Sequence, residues 1–312
     1  MARAKKEYVK INPMQEMADA MIAEIQSAIA DGRDLPWKKA WIGGGQGMPR
    51  QIVTGKPYRG INSLILWLCG KGATRFATSK TITAIGGKFL DWETGKDSAL
   101  PVVFFSHGKS KTKKKKDGSA ATFGFLKRYK VYPLSCFDLS DVDPSVLKGA
   151  DIVADLAPVN PIASAQAIVD AYKGPEIVFG GSRACYSSLA DRVESPNMSD
   201  FLSAELFYSV LFHELGHSTG HAKRLARPEL VGGAMFGDHR YSQEELCAEF
   251  TAAMLCQRAG ITTTETHDNS VAYLRGWLKA LKDSPEMLVK AGWAAQKAAD
   301  YICGLAPIAA SA

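Results

Sequence analysis

Residues 213–217 read His213-Glu214-Leu215-Gly216-His217, at the end of the apolar run Phe207–Phe212. On a helix, histidines four residues apart lie one turn apart on the same face, so both imidazoles can reach a single metal ion. Glu214 stands beside the first histidine, within reach of a water in the same site. Two ligands, an open position and a carboxylate base form the donor set of a zinc hydrolase. Zinc supplies a water of pKa ~7 and polarises a carbonyl, and Glu214 takes the water's proton and passes it to a leaving amine. Gly216 leaves room for another backbone to approach this helix closely.

A third ligand must come from a second element. Tyr241–Phe250 reads as a helix, with Ser242 as N-cap and Glu245 at N3. Glu245 and Glu249 share a face, whereas Glu244 points about 100° away from Glu245. One acid of the pair can bind the ion while the other holds a ligand histidine by its outer nitrogen. The segment resembles the gluzincin metallopeptidases, and that resemblance implies Glu245 as the ligand, with Glu249 behind it. His221 lies four residues beyond His217, but Gly220 ends the helix, so His221 is expected to line the cleft or cap the helix end. Tyr241, His221 and His239 are the candidate oxyanion donors, and Tyr241 is carried forward as the catalytic one. Zinc is the expected metal, although manganese or cobalt suits the same donors.

The remainder of the chain must position these groups. Its 312 residues allow one large or two ordinary domains, and an apolar content of 46% is that of a folded protein. No apolar stretch of ~18 residues predicts a membrane span. The basic N-terminus has no apolar region behind it to make a secretory signal. Six scattered cysteines without Cys-x-x-Cys pairs read as reduced thiols of a cytoplasmic protein. Residues 12–31, 61–68, 78–85 and 160–172 have helical patterns, and 268–303 is mostly helical. Pro101–Phe105 and Phe123–Pro133 predict two strands joined by a flexible lysine-rich loop at 109–118. Ile177–Phe179 and Ala184–Tyr186 predict a short strand pair leading into the catalytic helix.

Charge divides the chain. Residues 1–140 contain 24 Lys+Arg against 11 Asp+Glu, and residues 141–312 contain 14 against 21. The basic part suits a polyanion, and the acidic part carries the candidate metal site. In the basic part, Trp37, Trp41 and Tyr58 are interleaved with Lys38, Lys39, Lys56 and Arg59. Rings can stack on unpaired bases while cations hold phosphates, at ~1–3 kcal/mol per stacked base. Lys113, Lys114 and Lys115 add phosphate contacts. No duplex-reading motif is present, which points to single-stranded DNA.

Leu35-Pro36-Trp37-Lys38-Lys39-Ala40-Trp41 and Thr54-Gly55-Lys56-Pro57-Tyr58-Arg59-Gly60-Ile61-Asn62 resemble the N-terminal domain of the ArdC antirestriction proteins. Ala184-Cys185-Tyr186, His213–His221 and Glu244–Glu249 resemble the C-terminal half of the same family. The resemblance implies a single-stranded-DNA-binding domain, a zincin-like metallopeptidase domain and protection of incoming mobile-element DNA from restriction. It places Asn62 among the DNA-binding candidates. The expected fold is α+β: a small basic α+β domain over residues 1–140, a linker over 141–159, and a mostly helical zincin-like domain over 160–312. Two other functions fit the same residues. One is a DNA-linked metalloprotease that cleaves a specific host protein; the other is a non-enzymatic single-strand binder with a structural metal. No oligomeric state is legible.

Overall fold

The computed structural model describes residues 12–30, 48–70, 73–114, 120–148, 160–231, 239–261 and 282–305, with the backbone alone at 28–29, 109–114, 120–123 and 239–242. Trp37, Lys38, Lys39, Trp41 and Lys115 therefore lie outside the described residues, as do much of the 141–159 linker and residues 268–281 of the C-terminal helical stretch.

The fold is mixed α and β. Helix α1 (Pro13–Ala30) opens on Asn12, whose side chain accepts from Met14 N, with Pro13 in the first turn where its missing N–H costs nothing. Its apolar stripe, Met17, Met21, Ile22 and Ile25, is buried. Strand β1 (Arg50–Gln51), helix α2 (Ile61–Cys69), β2 (Arg75–Ala77) and α3 (Ser79–Ala84) follow. Thr78 caps α3 by accepting from Thr81 N. β3 (Lys88–Phe89) and α4 (Trp92–Asp97), capped by Asp91, lead into a long antiparallel ribbon, β4 (Leu100–Lys114) with β5 (Ala120–Pro133). The sheet order is β1-β2-β5-β4, and β3 pairs with β6 (Phe137–Asp138).

The ribbon corrects one expectation. The run 109–118 is not simply a loop, because β4 continues through Lys114 after a register shift beyond Lys109. Backbone ladder bonds need no apolar side chains, so a solvated run of Lys, Ser and Thr can extend a hairpin that its buried end has nucleated. Lys113 and Lys114 are therefore strand residues.

In the second half, α5 (Pro161–Ala171) is capped by Asn160. A three-stranded sheet follows, made of β7 (Glu176–Phe179), β8 (Cys185–Ser187) and β9 (Arg192–Ser195). β7 and β8 do not pair with each other as expected, since β9 lies between them, parallel to β7 and antiparallel to β8. β9 escapes sequence reading because, of its four residues, only Val193 is apolar. Ser203 caps α6 (Ala204–Ser218) by accepting from Leu206 N. α7 (Pro228–Val231), α8 (His239–Ala259) and α9 (Pro285–Ile302) complete the fold. α8 starts three residues before Ser242, so Ser242 is an interior residue and not its N-cap. Nothing in His239–Tyr241 opposes helix, and propagation adds one bond per residue fixed. Among the described residues, no helix is long and apolar enough to cross a membrane.

One continuous core joins α1 and α2 to α6, α8 and α9. α6 and α8 approach closely at Gly216, where an added Cβ would stand 3.2 Å from Ala248 Cα. α2 meets α9 in the same way, with Gly292 against the backbone of Ile61. Two smaller clusters lie under the sheet of the first half, around Ile52 and Phe137 and around Phe76 and Val102.

Candidate metal centre

α6 carries His213 and His217 one turn apart, and α8 packs against it with Glu245 facing them. His213 Nε2 and His217 Nε2 stand 3.1 Å apart, and each lies 3.5 Å from a Glu245 carboxylate oxygen. Four ligands at Zn–N and Zn–O distances of ~2.0–2.1 Å around a tetrahedral ion are separated by about 3.3–3.4 Å, so these three donors already have ligand–ligand spacing. Among the described residues this is the group of His, Cys, Asp and Glu able to hold an ion. The side chains are 19%, 12% and 15% exposed, so the site is sheltered yet open to solvent.

The outer nitrogens explain why the inner ones converge. His217 Nδ1 is 3.1 Å from Glu244 Oε1, and His213 Nδ1 is 3.6 Å from Glu249 Oε1. A carboxylate behind each ring favours a proton on Nδ1 and leaves the Nε2 lone pair for an ion. Burial alone would lower both histidine pKa values. Hydrogen bonds to Glu244 and Glu245 instead carry His217 up to about 10, and Glu245 with Glu249 raises His213. A cation between the Nε2 atoms would replace those protons, because a ligating histidine is neutral.

Helical spacing points Glu244 away from Glu245, and the structure agrees. Its direction leads it to the back of His217 and into a buried clamp. Arg227 donates from Nε to Glu244 Oε2 at 2.7 Å and from Nη2 to Oε1 at 2.5 Å. The same guanidinium donates to Thr219 Oγ1 at 2.6 Å and to the Gly216 carbonyl at 2.9 Å. Burial would raise the Glu244 pKa, but Arg227 and then His217 outweigh it and keep the carboxylate ionised. Two adjacent acids were a visible signal for Glu244. Arg227 had none, because the turns between α6 and α7 bring it back to the helix end.

Glu214 points to the small sheet, where Tyr186 N donates to its Oε2 at 2.8 Å. Strand β8 thus fixes the carboxylate on the side of the helix facing the sheet. Tyr186 Oη donates to Asp191, and Arg224 reaches Tyr186 Oη, Asp191 and the Ser218 carbonyl. Asp191, at φ 48°, occupies the left-handed turn between β8 and β9. His221 lies beyond the end of α6, as Gly220 foretold. Its Nδ1 accepts from Lys223 N at 3.2 Å and stands 3.7 Å from Asp191 Oδ2. Tyr241 is placed on the first turn of α8 by its backbone.

The residues expected to bind DNA at 54–62 have other surroundings. Tyr58 is 6% exposed and packs edge-on against Phe76. Asn62 is buried, and its amide both donates to Val103 O at 2.7 Å and accepts from Val103 N at 2.9 Å. Arg59 pairs with Asp300 of α9, and Gly60 N donates to Gln296 of the same helix. This motif joins the halves and does not form an open stacking surface, because its ring and amide are used in packing. Lys56 is exposed.

Residues 163–295 match a zincin-like metallopeptidase family, MPTase-PolyVal, and residues 12–132 match the N-terminal domain of the anti-restriction factor ArdC. The metal-free crystal structure of the antirestriction protein ArdC from plasmid R388 superposes with a TM-score of 0.67 at 30% identity, covering 94% of this chain and 97% of that one. Its Mn(II)-bound form gives 0.65 over the same shares. A DNA primase TraC of Escherichia coli is 29% identical over 303 residues, and a second is 28% identical over 319. The chain spans only 20% and 27% of the lengths of those primases. The protein y4eC of Sinorhizobium fredii is 27% identical over 92% of this chain and 90% of its own length. The two family matches in order, and a relative of known structure matched almost end to end, show that this chain belongs to the ArdC antirestriction family and carries a zincin-like metallopeptidase domain.

Proposed function

We propose that the chain binds single-stranded DNA, protects incoming mobile-element DNA from restriction, and carries a metal-dependent peptidase centre. In this reading residues 1–140 form the DNA-binding domain, 141–159 the linker and 160–312 the peptidase domain, in the cytoplasm. A zincin-like domain implies a metal cofactor, and a relative is described in a Mn(II)-bound form. We assign the ion, zinc by the donor chemistry or else manganese or cobalt, to His213, His217 and Glu245.

The observation that carries the reading is the convergence of these three donors beside a glutamate held by a strand backbone, in a chain whose other half has 24 basic and 11 acidic residues. When bound, the ion would supply Lewis acidity for a peptide carbonyl and for a water. Glu214 Oε1 would take a proton from that water, while the Tyr186 N–H holds Oε2 and fixes the carboxylate's orientation. Glu249 and Glu244 orient the two imidazoles, His221 lines the cleft, and Tyr241 is the proposed oxyanion donor. Trp37, Lys38, Lys39, Trp41, Lys56, Lys113, Lys114 and Lys115 remain proposed DNA contacts. A DNA-linked protease acting on a host protein would use the same centre.

The test is bound metal per chain in the wild type and in a His213→Ala, His217→Ala variant, together with restriction protection by Glu214→Ala. One equivalent lost in the double variant supports the centre. Full protection by Glu214→Ala would separate antirestriction from peptide hydrolysis. Metal content unchanged in the double variant would remove the assigned site.

A further inference from the structure

The face of the β4–β5 ribbon turned away from α1 is more aromatic than a free ribbon needs. Side chains alternate across a strand, so Val102, Phe104 and Ser106 share one face with Tyr129, Lys127 and Phe125 opposite them. At the inner end Val102 is fully buried, while farther out Phe104 is 45% and Phe125 40% exposed. Phe104 meets Tyr129 edge-on at 5.6 Å, and Lys127 Nζ lies 5.3 Å from the Tyr129 ring centroid. This stripe opens into a cleft of about 590 Å³ between the ribbon and α3, which Lys80 and Lys130 line together with Phe104 and Tyr129. Hydroxyls of Thr78, Ser79 and Thr81 complete that wall, and among the described residues no Asp or Glu lines the cleft. Only the inner part of the opposite face is occupied, where Val103 is in the main core and Arg128 pairs with Glu16 of α1; farther out on that face Phe105 is 60% exposed and meets His107 edge-on.

We propose that this stripe and cleft are the track for a single strand of DNA, with bases on Phe104, Tyr129 and Phe125 and phosphates on Lys127 and Lys80. The assignment rests on the DNA-binding reading above and moves its centre from the 54–62 motif to the ribbon. Half-exposed rings beside exposed lysines offer stacking and charge together, the two requirements of a sequence-tolerant single-strand binder. Same-face positions on a strand repeat every ~6.6–6.8 Å, twice the 3.4 Å rise of a stacked strand, so the track suits an extended strand with its bases unstacked. A duplex would keep its bases from the rings. The outer part of β4 adds to the field, since 109–114 contains four lysines.

The test is fluorescence anisotropy of a labelled thymidine 20-mer from 50 to 300 mM salt, with the full chain. Phe104→Ala with Phe125→Ala should weaken binding by about 5- to 150-fold per stack lost, at an unchanged salt slope. Lys127→Gln with Lys80→Gln should make the slope of log K against log salt shallower by about 1.4, at ~0.7 per phosphate contact. Phe104→Trp, which keeps a stacking ring, should bind as tightly as the wild type where Phe104→Ala does not. All these side chains are exposed or half-exposed, and thermal melts verify the fold. If the wild type binds the 20-mer and the variants bind within twofold of it, the track is wrong while the DNA-binding reading stands. If the wild type binds no polynucleotide, both fail. Tighter binding of the matching RNA would overturn the choice of DNA. A change of mass on Phe104→Ala with unchanged DNA affinity would make the face a contact between copies of this chain.

Discussion

Replacing Arg227 with methionine tests whether the metal-ligand geometry depends on a buried ion pair. Arg227 and Glu244 side chains are 7% and 5% exposed, and the guanidinium makes both carboxylate bonds as well as those to Thr219 and Gly216. The methionine side chain would fill much of the volume but leave the Glu244 charge buried with only His217 to face. Breaking a buried pair by removing one partner costs about 3–5 kcal/mol. Replacing both partners with apolar residues is often near neutral, so Arg227→Met with Glu244→Met should be less damaging than the sum of the single changes, by about 2 kcal/mol or more. Urea unfolding of the four proteins of this cycle gives that coupling directly. Metal affinity supplies a second readout. Loss of the carboxylate behind His217 should weaken binding about 10–100-fold, measured against a competing chelator. A stability loss below about 1 kcal/mol for Arg227→Met, or strictly additive changes, would refute the argument that the pair is buried and coupled.

Other expectations follow from neighbouring features. Asn62→Ala strands the Val103 N–H and carbonyl in the core and should cost about 1–3 kcal/mol for each group, read by urea unfolding; a loss under about 0.5 kcal/mol overall would contradict it. Gly60→Ala must place a Cβ at φ 57° and 3.2 Å from Trp293, and should destabilise by about 1–3 kcal/mol, again read by urea unfolding. Arg224 holds the Asp191 carboxyl down from 3.8 to about 2. Its contribution is therefore complete above 3.8 and is lost as pH falls toward 2. The stability gap between wild type and Asp191→Asn should then narrow from about pH 6 to about pH 3, and a gap constant over that range would dismiss the ion pair as its source.

The convergence of the three candidate donors was legible because helical spacing alone puts His213 and His217 on one face, and Glu245 was named by resemblance to a known pattern. The clamp was not, because Arg227 reaches Glu244 only through the turns after α6, and no sequence period encodes a chain reversal. Tyr58, Arg59 and Asn62 misled for a related reason. Aromatic, cationic and amide residues on a Gly/Pro-bounded turn look like a binding loop, but the partners that occupy them, Phe76, Asp300 and Val103, are 18 to 241 residues away. The ribbon's exposed rings had the opposite problem: Phe104 and Phe125 read as ordinary strand apolar residues, and only their exposure sets them apart. β9, with one apolar residue in four, carried too little alternation to be found at all.

The packing of α9 on α1 and α2 also bears on how the chain folds during synthesis. About 250 residues separate the end of α1 from the start of α9. At roughly 5–20 residues per second, α1 leaves the ribosome on the order of 10–50 s before α9 is made. During that interval Met17, Met21 and Ile25 lack part of their final packing, as does the N-terminus of α2, where Gly60 awaits Gln296. The basic half is thus synthesised first but completed last. Until then its apolar helix faces are natural chaperone targets, and closure of the core must wait for the far end of the sequence.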